Sequence, residues 1–307
     1  VQFVVSTHSS HMANRARFDS MRYFLSTSLG LGSHFLETKV KDLRKGMGGI
    51  EKEDQEFLHQ YMTLTRCDLL FADKAILIEG TSERLLLPKM IEKVDEASSK
   101  TSKLGSQYIS VVEVGGAYAY IFFKLLDFLE LITLVITDID AVDGKRDRLA
   151  CLVSQGTDTS NASIKAWFKK KSDSKPPILV PSDLIKKTEK EKTKGVVRMA
   201  YQIPESEGMA CGRSLEASLI LSNSALFEMA STSASDLESE ASKKAEGVKK
   251  SSFALQYAIT DTTWNVPKYI FEGLQWLGGA SKVATPAAVP SVTERDGLNP
   301  NAEKAKP

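Results

Sequence analysis

Only three cysteines occur in 307 residues, Cys67, Cys151 and Cys211, and no two of them form a CxxC pair. That spacing argues against a sequence-local zinc module and against a disulfide framework, and it fits a reducing, cytoplasmic setting. No apolar run approaches the ~18 residues that suggest a membrane span. No GxxxxGK[ST] string is present, so this stretch carries no P-loop for ATP. An excess of either charge is also missing. Lysine plus arginine number 40 against 39 acidic residues, a net charge of +1, so any nucleic-acid surface has to be a local patch. No internal repeat is found. The chain opens on the strand-like run VQFVVST, with no initiator methionine or signal peptide, and reads as a piece cut from a longer protein.

A hydrophobic content of 42% with 26% charged residues is enough for a folded core. Residues 1–6 read as a buried strand ending in Ser6-Thr7-His8-Ser9-Ser10-His11. Residues 15–72 read as mostly helical, with Phe57, Tyr61 and Leu64 on one face of a helix from Glu51 to Leu70. The pattern then changes. Lys74 to Glu79 is a short apolar run, Thr81 to Lys93 a helix that Pro88 should kink, Tyr108 to Val114 a strand, Ala117 to Leu131 an apolar helix, and Thr133 to Thr137 a strand. Alternation of this kind predicts right-handed crossovers and an α/β fold with a mostly parallel sheet flanked by helices. Further on, strands are expected at Leu149 to Val153 and Val196 to Ile203, and helices at Asn161 to Lys170 and Arg213 to Leu221. Residues 169–194 read as an exposed lysine-rich stretch, and Ser231 to Lys250 as an exposed helix or disordered insert. Pro267 to Leu277 is a helix, stopped by Gly278-Gly279.

Ligand and catalytic groups of parallel sheets gather at the carboxyl ends of the strands. Glu79 ends one strand, Gly80 permits a tight turn, and Glu83 falls in the first turn of the next helix, so both carboxylates can converge above the sheet edge. Alone, a solvated strand end and a helix-start charge explain them equally well. Asp138 and Asp140, at i and i+2, aim at one point from the end of TLVIT, a common way to hold a hard cation such as Mg²⁺. The plain alternative is a turn. Together, two acidic clusters at neighbouring strand ends would repel strongly unless cations resolved the cost.

The strings KAILIEGTSERLLLP and LVITDID resemble the Toprim domain, and the fuller similarity is to the OLD (overcoming lysogenization defect) family of nucleases. There an ABC-type ATPase precedes a Toprim region. VQFVVSTHSSHMAN resembles the end of such an ATPase, with His8 at the position that senses a γ-phosphate. The resemblance implies a Toprim-type sheet plus a helical subdomain, and the following organisation. Residues 1–14 would be the end of the ATPase, 15–72 a helical connection, 73–221 the Toprim catalytic domain, 222–279 a helical region and 280–307 a disordered tail. Glu79 and Glu83 would hold one metal ion, and Asp138 and Asp140 would help hold it and a second. Gly212-Arg213-Ser214-Leu215-Glu216 resembles the later acidic motif, adding Glu216. Thr159-Ser160-Asn161 resembles another segment near the site. Trp264-Asn265-Val266-Pro267-Lys268 resembles the segment that supplies a catalytic lysine in class 2 members, here Lys268.

The function implied is DNA phosphodiester hydrolysis by an endonuclease. One ion activates the attacking water and the other stabilises the leaving oxygen, with Mg²⁺ (Mn²⁺ substituting) as cofactor. Lys169-Lys170-Lys171 and Lys186-Lys187 are candidate phosphate contacts, although lysine runs are more often simply solvated. ATP would act through the missing ATPase, which would also carry most of the dimerisation. A superfamily 1 helicase is the implied partner, and no membrane is involved. A topoisomerase would need a nucleophilic tyrosine, for which Tyr61 and Tyr269 stand in no recognisable context. A primase would need a zinc module. The remaining alternative is a non-catalytic Toprim module that binds DNA or regulates an ATPase.

Overall fold

The computed structural model describes residues 3–17, 20–28, 36–46, 48, 51–64, 67–99, 103–115, 118–170, 172–261 and 263–280. Helix α1 (Ser10–Arg15), the hairpin β1 (Arg22–Ser28) and β2 (Leu36–Asp42), and helices α2 (Leu43–Gly46) and α3 (Lys52–Leu64) come first. The alternating core follows: β3 (Lys74–Ile78), α4 (Thr81–Ala97), β4 (Ile109–Glu113), α5 (Ala119–Leu129) and β5 (Ile132–Ile136). Next come three short strands, β6 (Ala141–Asp143), β7 (Leu149–Ala150) and β8 (Asp158–Thr159), and the helices α6 (Ala162–Phe168), α7 (Pro181–Leu184) and α8 (Glu189–Lys192). Strands β9 (Thr193–Lys194) and β10 (Val197–Ala200) precede α9 (Leu215–Ser222), α10 (Ala234–Glu246), α11 (Lys250–Leu255) and α12 (Lys268–Gly279).

The main sheet has the order β4-β3-β5-β10-β9, parallel except for β9 at one edge. Strands β3 and β5 are buried at every position, because both faces of the sheet are covered. Ile76, Ile78, Leu134 and Ile136 pack beneath α4, α9 and α12. Ala75, Leu77 and Val135 meet α5 and the aromatic side chains of α3 and α6 on the other face. Helix α12 lies very close to the sheet: a methyl on Gly273 would stand 3.0 Å from a Leu134 methyl. At the amino end of β3, the buried ammonium of Lys74 donates to the carbonyls of Leu277 and Gly278, the last turn of α12.

Several expectations need correction. Residues 3–9 form no regular element, and Phe3, Val4 and Val5 are exposed. Residues 1 and 2 lie outside the described residues. The 15–72 stretch is not mainly helical, because Arg22–Ser28 and Leu36–Asp42 pair as antiparallel strands. Its alternation buries Leu25 and Thr27 and exposes Phe24 and Ser26, the period of a strand. Helix α4 runs past the expected Lys93 to Ala97, with Pro88 inside it and Leu86, Leu87, Met90 and Val94 buried. The strand expected over Leu149 to Val153 is two exposed residues long. The segment read as an exposed helix or a disordered insert is a helix, α10, but it folds against α9 and buries Leu237, Glu238 and Ala241. One leucine among serine, alanine, glutamate and lysine made too weak an apolar pattern to show that face. The 280–307 tail lies outside the described residues beyond Ala280. No described helix is long and apolar enough to cross a membrane.

Candidate functional site

Glu79 follows β3 directly, and Thr137 and Asp138 follow β5, its hydrogen-bonded neighbour. Parallel register therefore brings the two acids side by side. Glu79 Oε1 accepts from the Thr137 hydroxyl, from the Asp138 amide at 2.9 Å and from Asn161 Nδ2 at 3.3 Å. Asn161 is the N-cap of α6 and is 2% exposed. Its Nδ2 also donates to Thr137 Oγ1 and to the Asp138 carbonyl, while its Oδ1 accepts from Ile164 N. Gln202, two residues past β10, grips the same segment from the other side. Its Oε1 accepts from the Ile139 amide at 2.6 Å and its Nε2 donates to Asp138 Oδ1.

Helix N-termini bring in the remaining acids. Gly80 is the N-cap of α4, and Glu83 at its third position accepts from the Gly80 amide at 3.1 Å. Glu216 lies in the first turn of α9, its side chain 3% exposed, and accepts from Ser82 Oγ at 3.2 Å. The positive end of each helix favours a carboxylate at these places. Asp140 holds a left-handed backbone, φ 44°, which an aspartate tolerates better than most residues.

Two cations flank the cluster. Arg213 donates from Nη2 to Asp140 Oδ1 at 3.3 Å and from Nε to the Ala141 carbonyl at 3.2 Å. Lys250, the first residue of α11, pairs with Glu216 Oε2 at 3.4 Å. Lys268 opens α12 with its amide on Glu205 Oε1 and its Nζ 3.4 Å from the Glu205 carbonyl. The structure thus gathers Glu79, Glu83, Asp138, Asp140 and Glu216, and sets Lys250 rather than Lys268 in an ion pair with them. Sequence reasoning missed Gln202, Lys250 and the roles of Thr137 and Arg213. Gln202 was open to the rule that found Glu79, since it too follows a strand's carboxyl end. Lys250 gave no such signal.

The acids sense one another. Burial, reinforced by the charges of Glu79 and Glu216, pushes Glu83 up to about 7 against the hydrogen bonds from its own and the Gly80 amides. Asp138 is raised well above the usual carboxylate range, chiefly by burial and then by Glu79, Glu83, Asp140 and Glu216. Asp140 is raised by burial and Glu79, with Arg213 and Lys250 pulling the other way. Burial lowers the Lys250 ammonium, but Glu216, Asp138 and Glu83 outweigh it and leave it raised. An all-carboxylate donor set with an excess of negative charge suits a hard divalent cation. Among the described residues, however, no three acidic, histidine or cysteine side chains converge tightly enough to enclose an ion as they stand. Each acid has an oxygen engaged by a partner within the protein.

A mostly parallel sheet carrying glutamate and aspartate at adjacent strand ends is the arrangement of a Toprim domain. Residues 70–140 match the family model described as "Overcoming lysogenization defect protein-like, TOPRIM domain". Among curated proteins, the chain is similar to endonuclease GajA of Bacillus cereus (strain HuB5-5), 27% identical over 180 residues. That match takes in 54% of this chain and 24% of GajA, about a quarter of the relative's length. Two solved structures also resemble it. The C-terminal region of the Burkholderia pseudomallei OLD protein is 22% identical, with TM-score 0.38, covering 67% of this chain and 97% of that one. The C-terminal region of the Xanthomonas campestris pv. campestris OLD protein is 19% identical, with TM-score 0.38, covering 69% and 94%.

Proposed function

We propose that this chain is a metal-dependent DNA endonuclease module that hydrolyses phosphodiester bonds. The observation that carries the proposal is the convergence of five carboxylates, from β3, β5, α4, α9 and the turn after Asp138, at the carboxyl edge of one parallel sheet. Glu79 and Glu83 are assigned to one ion, with Asp138, Asp140 and Glu216 completing a two-ion set. Bound Mg²⁺ or Mn²⁺ would supply Lewis acidity and positive charge at the phosphate.

The chain's own groups do the rest. Thr137, Asn161 and the Asp138 amide hold one oxygen of Glu79, so the other is the one assigned to the ion. Gln202 fixes Asp138 in the same way. Glu83, raised to about 7 by burial and by its acidic neighbours, would be favoured in its charged form by a bound cation, as a metal ligand requires. Lys250, paired with Glu216 Oε2 at 3.4 Å, is assigned a charge-stabilising role at the phosphate beside the one proposed for Lys268. Tyr269 is buried beside Gln202, its hydroxyl raised well above its ordinary value by burial and by Asp138 and Glu83, which disfavours a topoisomerase-type nucleophile. An ABC-type ATPase in the same polypeptide, dimerisation through it, and a superfamily 1 helicase partner belong to this proposal on the strength of the family likeness.

One observation favours a second reading, a Toprim module that binds DNA or regulates an ATPase without cutting: the carboxylates are not closed on an ion. Incubation with supercoiled plasmid in Mn²⁺, Mg²⁺ or EDTA separates the two. Metal-dependent nicking or linearisation is expected, reduced at least about 10²-fold by Glu79→Gln, Asp138→Asn or Lys250→Ala, and less by Lys268→Ala. Ion binding with no cleavage under any condition would transfer the assignment to the second reading.

A further inference from the structure

The two cations beside the carboxylates are held very differently. Arg213 is fixed at both ends. Its guanidinium bridges the Asp140 carboxylate and the Ala141 carbonyl, and its backbone follows Gly212, where a methyl would stand 2.6 Å from the Ser218 amide nitrogen. The loop can therefore lie against the first turns of α9 only with glycine at 212. Its partner Asp140 carries the left-handed backbone, so the guanidinium also secures a strained turn. Lys250 has one ion-pair partner, Glu216 Oε2 at 3.4 Å, and its side chain is 67% exposed on a flexible stem. Glu216 itself is buried, with its other oxygen on Ser82. Lys250 thus occupies an oxygen that the assignment above gives to a metal ion.

We propose that Lys250 is a built-in stand-in for the metal, neutralising Glu216 in the metal-free protein and leaving that oxygen when a divalent cation binds, while Arg213 remains on Asp140. The proposal rests on the metal-site reading above. It explains why the carboxylates stand apart, since one of the site's oxygens is already taken by an ammonium. It also gives Lys250 a second position: released from Glu216, it is free to face a phosphate. Competition between ammonium and metal then sets the affinity for metal. A buried carboxylate that loses its only cation is costly, so removing Lys250 destabilises the metal-free form and removes a competitor at once.

The test is metal binding and lysine labelling on the full chain. Mn²⁺ binding is followed by the loss of the free-ion spin-resonance signal. Lys250→Met is expected to bind Mn²⁺ roughly two- to fivefold more tightly than the parent, the scale of one half-exposed ion pair that no longer has to be broken. Lys250→Arg should stay close to the parent, and Arg213→Met should bind more weakly. In the unaltered chain, amine-reactive labelling of Lys250, read by mass spectrometry against Lys268 as reference, should rise several-fold when Mg²⁺ is added. This second measurement stands even where a variant fails to fold. If Mn²⁺ binds but neither the affinity of Lys250→Met nor the labelling of Lys250 changes, the stand-in is overturned and the metal site survives. If Mn²⁺ binds neither the parent nor Lys250→Met, the metal-site reading falls and takes the inference with it.

Discussion

Glu83 holds its proton up to about pH 7, where an ordinary glutamate releases it near 4.5. The folded chain therefore binds a proton that the unfolded chain has already lost between those values. The stability this contributes is full below about 4.5 and disappears as pH rises towards 7. In EDTA, the melting temperature is expected to fall as pH is raised from about 5 to about 7.5, and Glu83→Gln should flatten that slope. Asp138, raised for the same reasons, acts in the same direction. A melting temperature that instead rose over this range in EDTA would mean that the cluster does not carry its charge as described. Asn161 gives a second residue-scale expectation. Asn161→Ala removes donors from Glu79, Thr137 and the Asp138 carbonyl at once, and should cost about 1–3 kcal/mol in chemical denaturation. At this scale the acids were legible because strand ends in a parallel sheet have a known use. Asn161 was reached only through the family resemblance and Gln202 was passed over although it too follows a strand end, and neither one's partners, more than 20 residues away, could be read from the sequence.

Among elements, the site is assembled by three helix starts, α4, α6 and α9, meeting two strand ends. Their N-caps, Gly80, Asn161 and Ser214, stand in the sequence as ordinary helix-entry residues. The alternation of β3, α4, β4, α5 and β5 was readable from apolar runs alone, since both sheet faces are covered. The β1–β2 hairpin and α10 were not. The hairpin exposes apolar side chains such as Phe24, and α10 buries only Leu237 and Ala241 as apolar side chains, beside Glu238, so both defeat a reading that looks for several large residues facing inward. The loop before α9 carries its own test. Gly212→Ala drives a methyl into backbone atoms of Ser218 and Ala217, and should cost about 1–3 kcal/mol in a thermal or denaturant melt. It should also weaken Mn²⁺ binding, because Arg213 would no longer reach Asp140. An unchanged melt would mean that the loop can move aside freely.

For the whole molecule, a net charge of +1 leaves little long-range attraction to DNA. The lysine-rich stretch adds less than its composition suggests. Lys187 pairs with Glu191, Lys192 with Glu189, and Lys194 lies over Trp167. Lys194 pairs in register with Val197, at the start of β10, whereas Gln202 at the site lies about 16 Å further along at the usual rise of a strand. DNA binding in EDTA is therefore expected to be weak. Binding in Ca²⁺, which can occupy oxygen sites without supporting cleavage, should be tighter, with a shallow salt dependence corresponding to about two to four phosphate contacts. A steep slope in EDTA would point instead to a basic surface remote from the carboxylates. Composition gives the net charge, but it could not show which lysines are already paired.

Lys74 and Glu79 are the two ends of one strand with its following residue. The carboxylate end joins the acidic cluster, and the ammonium end fastens the last turn of α12 through the carbonyls of Leu277 and Gly278. The last described helix is thereby latched to the strand that leads into Glu79. A protease that trims the chain back to Ala280 leaves this latch in place. One that nicks before Leu277 should strand a buried ammonium beneath β3, so that digestion passes abruptly from a harmless shortening to collapse of the whole domain.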